Sequence, residues 1–200
     1  MKIMEYLIAY GMSAHKLSND FQVSLEEAEK FIENFYATYP KLKDYFQRVQ
    51  NEALSTGKIT INALTNHRFL ADSVYRAYQD AKEVIDANRY SKGKIDKSVW
   101  RQFFVSKGQI ERRAQNYPIQ GTGALMTKLA AILFNRAVKA NRLNAFIVNM
   151  VHDEIVVEAK KEEAKQVLDI LIRCMKTSGQ IFIKSLPVEA SGKVTEFWDH

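Results

Sequence analysis

Apolar positions recur at helical spacing in several separate stretches of the chain, each bracketed by residues that start or stop a helix. Leu25, Ala28, Phe31, Ile32, Phe35 and Tyr36 form one stripe behind Ser24 and Glu27, which have the spacing of a capping box. Pro40 opens the next stripe, made of Leu42, Tyr45, Phe46 and Val49, and Gly57 ends it. Ala164, Val167, Leu168, Leu171, Ile172 and Met175 make the clearest amphipathic helix, and residues 120–140 read as a long one. Residues 1–9 are apolar apart from Lys2 and Glu5, with no capping residue before them, and Ser13 offers a fresh start. An uncapped start leaves orphan backbone donors, so this segment is expected to continue a helix that begins elsewhere.

The period changes to two in shorter runs. Strands are expected at 58–62 and 67–70, at 145–150 and 155–159 as two arms of a hairpin, and near 187–194. Residues 72–107 are polar and mixed in charge, with weak periodicity. They read as a partly helical insertion, solvated by default, with partner docking as the sharper option. The pattern as a whole predicts an α+β fold.

Composition narrows this picture only modestly. The 200 residues are 46% apolar and 26% charged, as in globular proteins and unlike disordered ones. A net charge of +6 suits a polyanionic partner, although many proteins without one are as basic. The single cysteine, Cys174, rules out an internal disulfide and a multi-cysteine zinc site, and its apolar helical setting reads as a buried structural thiol. No apolar stretch has the length of a membrane span, and no secretory core is evident, so a soluble intracellular protein without a membrane partner is expected.

The chemistry is concentrated at three places. Two β-branched arms flank His152, Asp153 and Glu154, and a hairpin would lift this trio to its tip. A carboxylate there, with a second beside it, can bind a hard divalent cation. An exposed acidic turn is the bland alternative. Lys2, Tyr6, Tyr10 and Gly11 fall on one helix face, which ordinary packing would also explain. Arg112, Asn116 and Gln120 are spaced by four, so a helical path aims them one way, although a solvated loop entering a helix would carry similar residues.

Taken in order, Tyr10-Gly11-Met12-Ser13-Ala14-His15, residues 111–122 and residues 149–159 resemble the C-terminal part of family A DNA polymerases, the bacterial DNA polymerase I type. The resemblance implies a fingers portion over 1–115, with an insertion at about 72–107, and a C-terminal portion of an antiparallel palm over 116–200. It also implies template-directed nucleotidyl transfer from dNTPs to a primer 3′-hydroxyl by two magnesium ions. Asp153 matches a metal-binding aspartate, Glu154 a neighbouring catalytic carboxylate, and Lys2 a lysine that meets the triphosphate. Lys2, Tyr6 and Tyr10 match nucleotide-binding positions. Tyr10, Gly11, Arg112, Asn116, Gln120 and His152 match positions that contact template or primer, and Lys128 is a further candidate for a phosphate contact. Glu5 and Leu7 depart from the family's usual Asn and Gly. Of the basic run expected after residue 63, only His67 and Arg68 remain.

The other metal-binding aspartate of the family has no counterpart in this sequence. The resemblance therefore implies either one chain of a split polymerase, of a kind found in phage genomes, or a fragment of a polymerase, which the sequence alone does not separate. The split chain would have primer–template DNA, dNTPs and a complementary polymerase chain as partners. The expected place is the cytoplasm of a bacterial or phage-infected cell, in association with the nucleoid. A catalytically inactive DNA-binding or interaction module with a polymerase-derived fold is the alternative. A metal-dependent hydrolase built on Asp153 and Glu154 is a weaker one, since no further ligand or nucleophile generator is evident.

Overall fold

Side-chain caps set the helix boundaries in the first part of the chain. The computed structural model describes residues 7–62, the backbone of 67–69, and residues 72–88 and 94–198. A helical turn at 7–9 closes at Gly11, where the Gly11 N–H reaches the Ile8 carbonyl at 2.9 Å and the Met12 N–H reaches that of Leu7 at 3.0 Å. This paired closure is a Schellman motif. Helix α1 (Ala14–Phe21) follows, with Ser13 accepting from the Lys16 N–H. The Ser24–Glu27 capping box forms in both directions at the start of α2 (Leu25–Thr38). Pro40 occupies the first turn of α3 (Pro40–Thr56), which ends at Gly57.

Strand β1 (Lys58–Thr60) then pairs antiparallel with β2 (His67–Phe69), Ile59 opposite Arg68. Asp72 caps α4 (Ser73–Ala87) by accepting from the Val74 and Tyr75 N–H groups. The insertion is thus helical at both ends, because 44-residue α5 (Lys97–Ala140) begins inside it and includes the stretch expected as a helix at 120–140. Strands β3 (Ala145–Val151) and β4 (Glu154–Ala159) form the hairpin, and α6 (Ala164–Phe182) is the last helix.

The chain divides into two compact units, Met1–Ile119 and Gln120–His200. In the first, Ile8, Leu17, Ala28 and Phe35 form one core cluster. Val49, Ala53, Ile59, Tyr78, Ile110 and Ala114 form another. In the second, Phe134 is fully buried among Ala130, Val138, Ile155, Val167 and Leu171. Truncating such a phenylalanine to alanine costs roughly 3–5 kcal/mol.

One expected element does not form. Residues 183–198 contain neither helix nor strand. A strand needs a ladder partner, and the sheet described here has only β3 and β4. The segment is held by side chains instead. Val188 packs directly on Gly179, Leu168 lies 2.6 Å from the position a Cβ on Gly192 would take, and Lys176 pairs with Glu189 at 2.5 Å. Cys174 is half-buried rather than fully enclosed, and burial pushes its thiol above the ordinary value. Among the described residues, no helix is long and apolar enough to cross a membrane.

Candidate functional site: the hairpin turn and the Tyr10–Asn116 contact

The hairpin closes through two residues, because Val151 pairs with Glu154 and leaves only His152 and Asp153 in the turn. Tight hairpins favour left-handed backbone that matches strand twist. Here His152 takes it, at φ 52. A side chain in that region costs energy and marks a place to look for function. The register shifts between Ile147 and Asn149, and such bulges sharpen strand twist near sites of this kind.

The turn is braced from two directions. The buried Thr127 hydroxyl lies 3.4 Å from the His152 carbonyl, and it also reaches the Gly123 carbonyl at 3.2 Å. The Trp198 indole N–H donates to Glu154 Oε1 at 3.3 Å. His152 and Asp153 stand exposed, while Glu154 is half-buried at the first position of β4. Both carboxylates line a cavity of about 900 Å³ walled by β4, α6 and residues 191–198.

A hard cation would suit these oxygens in chemistry. Six or more oxygen ligands surround such an ion, some of them water. Among the described residues, no three His, Cys, Asp or Glu side chains converge to hold one. Asp153 and Glu154 could supply carboxylate oxygens to a magnesium ion whose other ligands are water or phosphate oxygens.

The first unit contains a second constellation. Asn116 donates through Nδ2 to the Tyr10 carbonyl at 3.3 Å, joining two residues that are 106 positions apart. Its Oδ1 is buried and has no hydrogen-bond partner among the described residues. Buried Gln115 packs directly against Gly11, whose φ is +83, and the Arg112 stem lies 3.4 Å from where a Cβ on that glycine would sit. Tyr36 hydrogen-bonds to Gln115. Burial pushes its hydroxyl above the ordinary value, and that bond works in the opposite direction. Arg112 itself is exposed.

The structure thus brings Tyr10, Gly11, Arg112 and Asn116 together within one unit. It brings His152, Asp153 and Glu154 together in the other, where Gln120 and Lys128 lie exposed on α5. Lys2 and Tyr6 lie outside the described residues. His67 and Arg68 belong to strand β2. Thr127, Trp198 and Gln115 are not marked in the sequence, since a lone threonine, a terminal tryptophan and a glutamine beside more distinctive neighbours carry no local signal.

Three comparisons bear on this arrangement. A family model described as DNA polymerase family A matches residues 1–200. The chain is 33% identical over 203 residues to DNA polymerase I of Aquifex aeolicus, covering 98% of this chain and 29% of that protein. It is 29% identical to the thermostable DNA polymerase I of Thermus aquaticus, over 98% of this chain and 20% of that one. Among solved structures it resembles the POL domain of Pol1 from M. smegmatis in complex with DNA primer-template and dNTP. That likeness has a TM-score of 0.66 and 28% identity, covering 88% of this chain and 26% of the other. The chain spans less than a third of the length of each of these relatives.

Proposed function

The chain belongs to DNA polymerase family A, and we propose that it is the C-terminal part of a DNA-directed DNA polymerase that works with a complementary polymerase chain. The observation that carries this reading is the two-residue turn, which exposes Asp153 beside Glu154 in a segment matched by the family.

In this reading Asp153 contributes one carboxylate to a magnesium site and Glu154 supports it. The remaining metal aspartate comes from the complementary chain. Magnesium, when bound, stabilises negative charge on the reacting oxygens of primer and nucleotide. The protein's own residues do the positioning. Lys2 meets the triphosphate of a dNTP as a point charge, and Tyr6 packs over its sugar. Tyr10 fills the templating slot, with its carbonyl tethered by Asn116.

Arg112, Asn116 and Gln120 hydrogen-bond to template backbone and to minor-groove acceptors. Those acceptors occur on every base pair, so the contacts test pair shape and not sequence. His152 hydrogen-bonds to the primer backbone, where contacts fix register.

Primer extension with the purified chain, alone and with a complementary family A fragment carrying palm and thumb, tests the proposal. Extension is expected only in the mixture, and Asp153→Ala is expected to abolish it while primer–template binding persists. Robust metal-dependent extension by the chain alone overturns the need for a partner. Binding without extension in every mixture identifies the inactive DNA-binding module instead.

A further inference from the structure

The first turns of α5 carry aromatic rings on the solvent side as well as on the core side. Phe103 stacks on buried Tyr78 with ring centroids 5.5 Å apart, and Gln102 donates to the Ala77 carbonyl at 2.9 Å, so this end of the helix is fixed against α4. Phe104 nevertheless remains 61% exposed and Trp100 38% exposed. Their rings lie parallel to within 21°, with centroids 5.9 Å apart.

Lys97, Trp100, Arg101 and Phe104 occupy positions i, i+3, i+4 and i+7, one face of a helix. Lys94, Lys97 and Arg101 are exposed, and among the described residues none of the three has an ion-pair partner. The acidic residue nearest in sequence, Asp96, is engaged in accepting from the Ser98 N–H at 2.7 Å.

We propose that this face binds single-stranded DNA, with bases stacking on Phe104 and Trp100 and phosphates meeting Lys94, Lys97 and Arg101. Interleaved cations argue against a protein partner, because the centre of a protein interface is depleted of charge and of lysine in particular. They suit a polyanion. A single strand is preferred over a duplex because only an unstacked base offers its π-face to a ring, and stacking of this kind is indifferent to sequence. The inference rests on the polymerase reading only for the choice of DNA over RNA. The face lies wholly within the first unit and needs neither magnesium nor nucleotide.

Trp100 reports on the site directly, because Trp198 is the only other tryptophan in the chain. The full chain carrying Trp198→Phe is titrated with a single-stranded oligo(dT), without metal, while tryptophan fluorescence is followed. Saturable quenching that weakens with salt is expected, with a smaller response to a blunt duplex of equal length. Phe104→Ala should weaken binding roughly five- to a hundredfold, the worth of one base–aromatic stack. Arg101→Glu leaves the rings in place and should weaken it several-fold.

Unchanged fluorescence at saturating oligo(dT) overturns the proposal. So does an affinity untouched by both substitutions, or quenching by the duplex alone. Primer extension reads the Asp153 site separately, so either result can fail while the other stands.

Discussion

Gln115 occupies the space that a side chain on Gly11 would need. The contact joins α5 to the turn that follows Tyr10, and Gly11 is also held at a positive φ. Gly11→Ala therefore meets two penalties at once, a left-handed backbone carrying a Cβ and a collision with a buried glutamine. The expected loss of stability is roughly 1–3 kcal/mol, read by urea denaturation. A double variant with Gln115→Ala should recover part of it, and no recovery would locate the whole cost in the backbone.

His152 offers the opposite trade. Its φ of 52 is one that glycine adopts without cost. His152→Gly should leave the hairpin as stable as before, or more stable by about 1 kcal/mol, while binding to primer–template falls. Denaturation and DNA affinity measured on the same preparation separate the two effects. A substantial loss of stability would mean that the imidazole is structural.

Asp72 links acid sensitivity to the insertion. Burial pushes its carboxyl up, but N–H bonds from Tyr75 and Val74 and the Arg113 guanidinium together hold it below the ordinary value of 3.8. A carboxyl depressed in this way stabilises the fold above its unfolded value, and that contribution disappears as pH falls through the lower folded one. Asp72→Asn keeps a capping oxygen and removes the charge. The stability difference between parent and variant should shrink below about pH 4, and a difference constant with pH would remove Asp72 from the account.

Tyr6 carries the most specific expectation about substrate. A phenol over the sugar can stand in for an absent 3′-hydroxyl as a polar group, and a hydrogen bond is worth roughly 0.5–1.5 kcal/mol. The reconstituted enzyme should accept dideoxynucleotides, and Tyr6→Phe should raise discrimination up to about tenfold. Competition between deoxy and dideoxy substrates measures the ratio. If it does not move, the ring is packing and not reading the sugar.

Most helix boundaries were legible because they depend on neighbours in sequence. Ser24 and Glu27 cap α2, Pro40 opens α3, and the β-branched arms announce the hairpin. The beginning of α5 was not legible. Its core side bears Phe103, Ile110 and Ala114, but Trp100, Phe104 and Val105 break the polar side, which blurs the period. Pro118 lies within the same helix and reads locally as a stop.

The misplaced last strand has a different cause. Its residues alternate acceptably, but pairing is a property of what lies beside a segment and is not written in the segment. At the site, residue types pointed to Asp153 and Asn116. The hydrogen bonds from Asn116 to Tyr10 and from Trp198 to Glu154 span too much sequence to be read from it.

The Trp198–Glu154 bond has a practical consequence for anyone handling this protein. Residues 191–198 carry no regular secondary structure, which ordinarily marks a stretch that can be trimmed, fused or tagged freely. Here that stretch forms a wall of the cavity beside the acidic turn, and its indole steadies one of the two carboxylates. An affinity handle or a proteolytic nick at this end is thus an intervention at the turn itself. A disturbance of the turn after such a change would be misread as misfolding.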